Sequence, residues 1–532
     1  MIRRFLALLL ALAGGAVFAL TAPPTDLYPA VVVGLALLAA SLGVPGPGDL
    51  SPWPAPPTFF RAFGRGAAWG TAAGILGLRF VPAVIQRFTD LGVAVSLLAH
   101  VLLAAAQSLT WAIGAGVAAL LHRRARLPFE LAFGAGVLVT LSLPTIFAWS
   151  PAGLVSPWPA FVQLADVVGE RGVSVVFAVA AASLARAVAA SFARETKAAL
   201  RPALLGGGVF VLLFLYGVAR MAAVSGGAVG LPVLRVGLVD QAVAPRDRWN
   251  AAHHPAILQT LRDLTRRVEA EGADLTVWPE AAYPYPLGHD ERRVPQGRRA
   301  ILGQGVRGPL LVGLITLATP VRSPSGDVEQ NSYNSATLVL PDGKVLPPYD
   351  KLQLLWFGEM VPGGAELPWL RRLFQRSGGL IPGEAPRALD LPAPPSGAPP
   401  AHLAVLNCYE DTLPQVGRRL VTALAPGLLV NITNDAWFDA TAEPELHARL
   451  GAMRAIELRL DLVRAVNLGV TSWIDAAGVV RGRYASAQPG TLMATPAVRA
   501  PTVTFYAKWG DAPSYALFAM ITFVFARRRA RS

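Results

Sequence analysis

The chain has 532 residues and a net charge of +13, yet only 15% of its residues are charged and 53% are hydrophobic. Soluble domains carry about 25% charged residues, so composition excludes an ordinary water-soluble enzyme and a disordered chain. The lone cysteine, Cys408, excludes an intrachain disulfide and a cysteine-rich metal site.

Up to about residue 223 apolar runs dominate, and seven candidate spans emerge at roughly 5–21, 28–44, 64–82, 93–120, 128–149, 172–192 and 203–222. Each approaches the ~20 residues that a helix needs to cross a hydrocarbon core. Breaks fall at Ala22-Pro23-Pro24-Thr25-Asp26, in a Pro-rich stretch from 45 to 57, and at His122-Arg123-Arg124-Ala125-Arg126. The first run, with Arg3 and Arg4 before it and Ala19 and Ala22 at its end, also has the make-up of a signal peptide. Read as an uncleaved span it completes a consistent topology. Arg61, Arg65, Arg123, Arg124, Arg126, Arg194, Lys197 and Arg201 then fall on the same side as Arg3 and Arg4, while Arg87, Arg171 and Arg220 fall on the other. Basic loops stay in the cytoplasm, so the segment after the seventh span is expected outside it. A final short apolar run, about 513–526, brings Arg527-Arg528-Arg529-Ala530-Arg531 back inside. The net positive charge is thereby read as topology, and no nucleic-acid partner is expected.

From about 230 to 508 the pattern is that of a soluble α/β domain. Strands are expected at Leu234–Gln241, Asp274–Glu280, Pro309–Leu317, Tyr333–Leu340, Ala404–Glu410, Gly427–Asn434 and from Val470. Pro341-Asp342-Gly343-Lys344 reads as a hairpin turn. Ile257, Leu258, Leu261, Leu264 and Val268 share one helical face, and Glu445–Leu460 reads as a helix with Pro444 in its first turn. The organisation expected is thus a membrane domain over 1–223, a soluble domain over 230–508, and a terminal span with a basic tail over 509–532.

Strand ends are where α/β proteins gather chemistry. Here they deliver Glu280, Cys408 and, on the loop Tyr349-Asp350-Lys351, an ammonium. A thiol needs a base to take its proton, and positive charge or N–H donors to stabilise the oxyanion formed when it attacks a carbonyl. A glutamate, a lysine and a cysteine supply those parts without a metal. A lone cysteine in a strand is more often a small core residue than a nucleophile. The local wording of three motifs together favours the chemical reading.

Trp278-Pro279-Glu280, then Tyr349-Asp350-Lys351-Leu352 running on to Phe357-Gly358-Glu359-Met360-Val361-Pro362, then Asn407-Cys408-Tyr409-Glu410 resemble, in order, the three signatures of the nitrilase (carbon–nitrogen hydrolase) superfamily. The resemblance implies an αββα sandwich with Glu280 as general base, Lys351 as support for the tetrahedral intermediate and Cys408 as nucleophile. Over the whole chain, membrane half and terminal span included, the sequence resembles one branch, the apolipoprotein N-acyltransferase family. Asn434-Asp435-Ala436-Trp437-Phe438, His447, Arg454-Ala455-Ile456-Glu457 and Gly469-Val470-Thr471 carry that likeness further. Glu359, Tyr409 and Glu410 match further residues of the family's site, and Trp249 matches a family tryptophan on a mobile loop. Departures are Val239-Asp240-Gln241 for Gln-x-Asn, Asn467-Leu468-Gly469 for Asn-Thr-Gly, and a Pro-rich insert around Leu391–Pro400.

The resemblance implies an acyltransferase of the bacterial inner membrane, multi-pass and monomeric, with its catalytic domain on the periplasmic side. Its donor would be a phospholipid and its acceptor the amine of a diacylglyceryl apolipoprotein, with no cofactor and no metal. A membrane-anchored amidase acting on a small-molecule C–N bond would use the same three residues. A third reading is a transporter with an inactive extracytoplasmic domain, which the presence of all three residues argues against. Tryptophans 249 and 356 read equally as lids over the site or as anchors at a lipid surface. Arg79, His100, Glu130 and Arg186, in or beside apolar spans, are further candidates, because intramembrane charge is costly. The His253-His254 pair invites a metal reading but, with no third ligand nearby, reads as a helix start or a surface pair.

Overall fold

The structure, a computed structural model, describes residues 2–43, 57–88, 92–322, 328–356, 358–361, 379–500 and 502–531. Phe357, Pro362 and most of the Pro-rich stretch from 45 to 57 lie outside them. The chain divides into two compact units. The first is Met1–Ala222 with Thr441–Met453 and Trp509–Ser532, and the second is Ala223–Ala440 with Arg454–Lys508.

In the first unit every expected span is helical, but their lengths differ from expectation. Among the described residues, Val93–Ala125, Ala165–Phe192 and Thr196–Gly226 are long and apolar enough to cross a membrane. Phe59–Gly77 and Val81–Arg87 would make one more span together, bent by 56°. Arg4–Ala19, Ala30–Ser41, Phe129–Ser142 and Ala512–Arg527 are apolar but shorter. Chain chemistry explains two of the early stops. The helix from Phe129 ends at Ser142 because Leu143, which precedes Pro144, is extended. The helix from Ala30 ends where Gly43 takes φ 86°.

Glycines let two helices meet closely. A Cβ on Gly66 would lie 2.4 Å from the Trp111 carbonyl oxygen, and one on Gly70 would lie 2.9 Å from Ser108 Cα. Small residues four apart are a common way to join helices where no water drives association. Charges inside this unit are matched. Glu130 and Arg186 form an ion pair at 3.0 Å, Asp166 and Arg220 one at 2.7 Å, and Arg171 and Asp511 one at 2.6 Å. Arg79 donates to the Pro23 carbonyl at 3.2 Å, and His100 is buried. The segment Thr441–Met453, expected within the soluble domain, belongs to the first unit for a visible reason. Arg449 pairs with Asp26 at 2.7 Å, lies over the Tyr28 ring, and its carbonyl accepts from Ser156 Oγ at 2.8 Å.

The second unit contains two sheets. Strands β1 (Val236–Asp240), β2 (Leu275–Val277), β3 (Leu287–Gly288), β4 (Leu310–Leu317), β5 (Val321–Arg322), β6 (Val328–Glu329), β7 (Ser332–Val339) and β8 (Tyr349–Asp350) come first along the chain. They are followed by β9 (Ala388–Leu391), β10 (Ala401–Asn407), β11 (Leu428–Asn434), β12 (Leu462–Asn467), β13 (Thr471–Ile474), β14 (Val480–Tyr484) and β15 (Gly490–Ala494). Among the described residues one sheet runs β15-β1-β2-β4-β7-β8, with β3 on β4, and the other runs β14-β13-β12-β11-β10-β9. The centres are parallel, β1 with β2 and β4 in the first and β10 with β11 and β12 in the second. Strand β1 faces β12 and β7 faces β10, so the sheets stack. The helix His254–Ala270 packs on β1 and Pro414–Leu424 packs on β10, which completes an αββα sandwich. Every residue of β1 and of β12 is buried, as strands covered on both faces must be. The Pro-rich insert has a simple place: it joins β9 to β10, which pair antiparallel. His254 opens its helix with His253 as N-cap residue, as expected.

Asp240, at the end of β1, is fully buried. Its Oδ1 accepts from the backbone of Ala242 at 2.9 Å and of Leu468 at 3.1 Å. Burial outweighs those donors and, with the charge of Asp435 adding to it, pushes the Asp240 carboxyl up to about 7. A carboxyl raised on folding favours the fold fully at low pH, and that contribution is lost as pH rises through about 7. Asp240→Asn keeps the acceptor and removes the charge. The variant is expected to melt above the wild type at pH 8 and level with it near pH 4, measured by thermal denaturation of the detergent-purified chain.

Candidate active site

Glu280 stands three residues beyond β2, where the chain turns sharply. Strand β4 passes so close that a Cβ on Gly313 would lie 2.1 Å from the Pro279 carbonyl oxygen, so only glycine fits there. Arg248, buried, clamps the far side of this turn by donating to the carbonyls of Ala281 at 2.7 Å and Tyr283 at 3.1 Å. The Glu280 carboxylate is 7% exposed. Its Oε1 accepts from Asn334 Nδ2 at 2.7 Å and Lys351 Nζ at 3.2 Å, and its Oε2 accepts from the Asn434 backbone at 3.0 Å.

Lys351 follows β8 and is 1% exposed. Its backbone N–H donates to the Asn334 carbonyl at 2.9 Å. Its ammonium sits between Glu280 at 3.2 Å and Glu359 at 2.8 Å, and 5.7 Å above the Tyr409 ring. Burial disfavours its charge, but Glu280, Glu359 and Cys408 together outweigh burial and hold the Lys351 pKa well above that of a free lysine. Glu359 is itself fixed by Asn334 Nδ2 at 2.8 Å and by the Leu355 backbone at 2.9 Å.

Cys408 is the first residue past β10, at the start of the single turn Cys408–Thr412. Its φ is +56°, a left-handed conformation that costs a residue with a Cβ roughly 1–2 kcal/mol. The surroundings hold it there. The Asn407 backbone donates to the Glu410 carboxylate across the turn at 2.8 Å, and Asn431 Nδ2 donates to the Cys408 carbonyl at 2.9 Å. Asn407 Nδ2 in turn donates to Asn334 Oδ1 at 3.0 Å.

Glu410 joins this turn to the lysine loop. It is fully buried and accepts from Tyr349 Oη at 2.7 Å, from the backbones of Leu352 at 2.7 Å and Gln353 at 3.0 Å, and from that of Asn407 at 2.8 Å. Burial pushes its carboxyl up to about 7 against the pull of those donors and of Lys351. Tyr409 Oη donates to the Leu354 carbonyl at 3.0 Å, and burial raises the phenol.

The structure therefore brings Glu280, Lys351, Glu359, Tyr409 and Glu410 into one network, tied through Glu410 and Asn407 to the turn that begins at Cys408. Trp249 is not in that network: it is 69% exposed, with the Arg248 guanidinium 5.2 Å from its ring. Trp356 is 38% exposed. Sequence reasoning missed Asn334, whose two amide protons go to Glu280 and Glu359. Its strand also carries Ser335 and Thr337, so nothing in the pattern set the amide apart. It also missed Asn431, which shows as a buried amide in the apolar run of β11.

These features define a class, the carbon–nitrogen hydrolase fold with its cysteine at a strand end. Residues 235–500 match the carbon-nitrogen hydrolase family model, and residues 14–183 match that of the apolipoprotein N-acyltransferase N-terminal domain. A Geobacter metallireducens protein named apolipoprotein N-acyltransferase is 32% identical over 71% of this chain and 69% of its own length. Proteins of the same name from Bradyrhizobium diazoefficiens and Rhodopseudomonas palustris are 35% identical over 48% and 33% identical over 54% of this chain, matching 45% and 52% of their own lengths. The chain belongs to the apolipoprotein N-acyltransferase family.

Removing the ammonium strands two buried carboxylates, so Lys351→Met is expected to destabilise the chain by about 3–5 kcal/mol. Adding Glu359→Gln to that variant removes one of the stranded charges and should recover part of the loss, read as denaturation midpoints of the purified proteins.

Proposed function

We propose that this protein transfers an acyl chain from a membrane phospholipid, through a thioester on Cys408, to the N-terminal amine of a diacylglyceryl-cysteine on an apolipoprotein. The observation that carries the reading is the union on one chain of a Glu–Lys–Cys cluster of nitrilase type with a membrane region of the acyltransferase family. Both substrates are lipids, so a catalytic domain tethered to apolar helices meets them where they lie.

In the first half-reaction Glu280 takes the proton of Cys408 as the sulfur attacks the sn-1 ester carbonyl. The oxyanion faces the Lys351 ammonium and the backbone N–H of Tyr409. The ester C–O bond breaks, the glycerol oxygen takes the proton back from Glu280, and a lysophospholipid leaves. In the second half-reaction the amine attacks the thioester, its proton passes to Glu280, and the C–S bond breaks to restore the thiol as the amide forms. Donors fixed before the reaction need no reorganisation as charge develops, and losing one costs roughly 10²–10³ in rate in a well-studied protease. Glu359 and Asn334 hold the lysine and the base in register, and Glu410 holds the lysine loop against the nucleophile turn. The protein acts as a monomer without a cofactor, in the bacterial inner membrane, with the catalytic domain on the periplasmic side.

Intact mass of the purified protein after exposure to phospholipid tests the chemistry. A fatty-acyl increment on Cys408 is expected, absent in Cys408→Ala and slowed roughly 10²–10⁴-fold in Glu280→Gln, the range for loss of a positioned base. Wild-type protein that stays unmodified would contradict the reading. For topology, a reporter active only outside the cytoplasm should be active when fused near residue 300 and silent after Ser532.

A further inference from the structure

Beneath the nucleophile turn, four side chains stand opposite one another in register across the second sheet: Leu406 on β10, Asn431 on β11, Arg464 on β12 and Ser472 on β13. The last three are polar and buried. Asn431 Nδ2 bonds the carbonyls of Leu406 at 3.0 Å and Cys408 at 2.9 Å. Arg464 Nη1 bonds the carboxylate of Asp411, and both side chains of that pair are 0% exposed. Asp411 lies in the same turn as Cys408. The row thus grips the turn twice, at the carbonyl of Cys408 and at the side chain of Asp411.

Stability alone does not call for such a pair, because well-packed apolar side chains of the same volume generally serve a core as well or better. Strained backbone persists where its surroundings over-determine it, and φ +56° at Cys408 is strained. Arg464 Nε and Nη2 have no hydrogen-bond partner among the described residues, so the guanidinium keeps donor capacity beside the turn. Burial lowers its pKa to about 9, with the charge of Cys408 opposing that shift, so the group is still a cation at neutral pH.

We propose that Arg464, anchored by Asp411, is a positioning residue for the nucleophile: it locks the turn that presents Cys408 and adds positive charge to that of Lys351 in favour of the thiolate. The inference rests on reading Cys408 as the nucleophile, and neither Arg464 nor Asp411 belongs to the three signature motifs' reactive trio.

The test is the pH dependence of Cys408 alkylation by iodoacetamide in the full-length, detergent-purified chain. Cys408 is the only cysteine, so the mass increment reports it alone. Arg464→Met is expected to shift the profile upward by about one pH unit and slow alkylation at pH 7 about tenfold. Arg464→Lys, which keeps the charge, should recover most of the rate. The double variant Asp411→Asn with Arg464→Met strands no charge and should fold, with a melting temperature near that of the wild type and the same upward shift. A folded double variant whose profile overlays the wild type, or a lysine variant as slow as the methionine variant, overturns the proposal. Alkylation needs no lipid, so it reads the positioning role even where acyl loading fails. A wild type that acquires an acyl increment while the variants keep its alkylation profile overturns the positioning role alone.

Discussion

A fully buried ammonium must be matched by carboxylates, and that demand organises the strand ends of the second unit. Lys351 is held between Glu280 and Glu359, which come from a strand end in the first sheet and from the loop that follows the lysine. Asn334 spans both carboxylates with its amide protons and receives Asn407 on its oxygen. The charge cluster therefore fixes the relative places of the two sheets' strand ends, because Asn334 is on β7 and Asn407 closes β10. A cluster so fully bonded is costly to disturb one member at a time, since each lost partner leaves a buried group unpaired.

The second constraint is the turn Cys408–Thr412. Cys408 is presented in a conformation that a residue with a Cβ rarely takes, and the turn is tied at several points. Glu410 bonds it to the lysine loop, Asn431 bonds its first carbonyl, and Asp411 meets Arg464 in the sheet below. Loop, turn and sheet are thereby tied together at both ends of the turn. In the proposed mechanism such preorganisation leaves no alignment to be made during the reaction.

Much of this was legible in the sequence, and the limits follow from physical causes. Strands such as Leu310–Leu317 show as apolar runs because burial on both faces leaves little room for polar residues. Glu280, Lys351 and Cys408 stand out because motif and strand end coincide. Asn334 and Arg464 did not, since a polar residue inside a strand gives no sign of which distant side chain it will meet. Span lengths were overestimated at Phe129–Ser142, where hydropathy continues past Leu143 but Pro144 ends the helix. The place of Thr441–Met453 differs for the opposite reason: its sequence reads as part of an α/β domain, and the contacts of Arg449 with Asp26, Tyr28 and Ser156 show where it belongs.

On the proposed mechanism the acyl chain waits on sulfur for an amine and is withheld from water. Water is kept from a thioester by a closed, apolar site, and such an enzyme stalls when no acceptor is present. Counting lysophospholipid released per enzyme, with phospholipid alone and then with a diacylglyceryl-cysteine peptide, measures this directly. The account predicts a burst of about one per enzyme without the peptide, and sustained turnover once it is added. Continuous release without any amine would mark a phospholipase-like hydrolase and would contradict the account, even with every residue of the cluster in place.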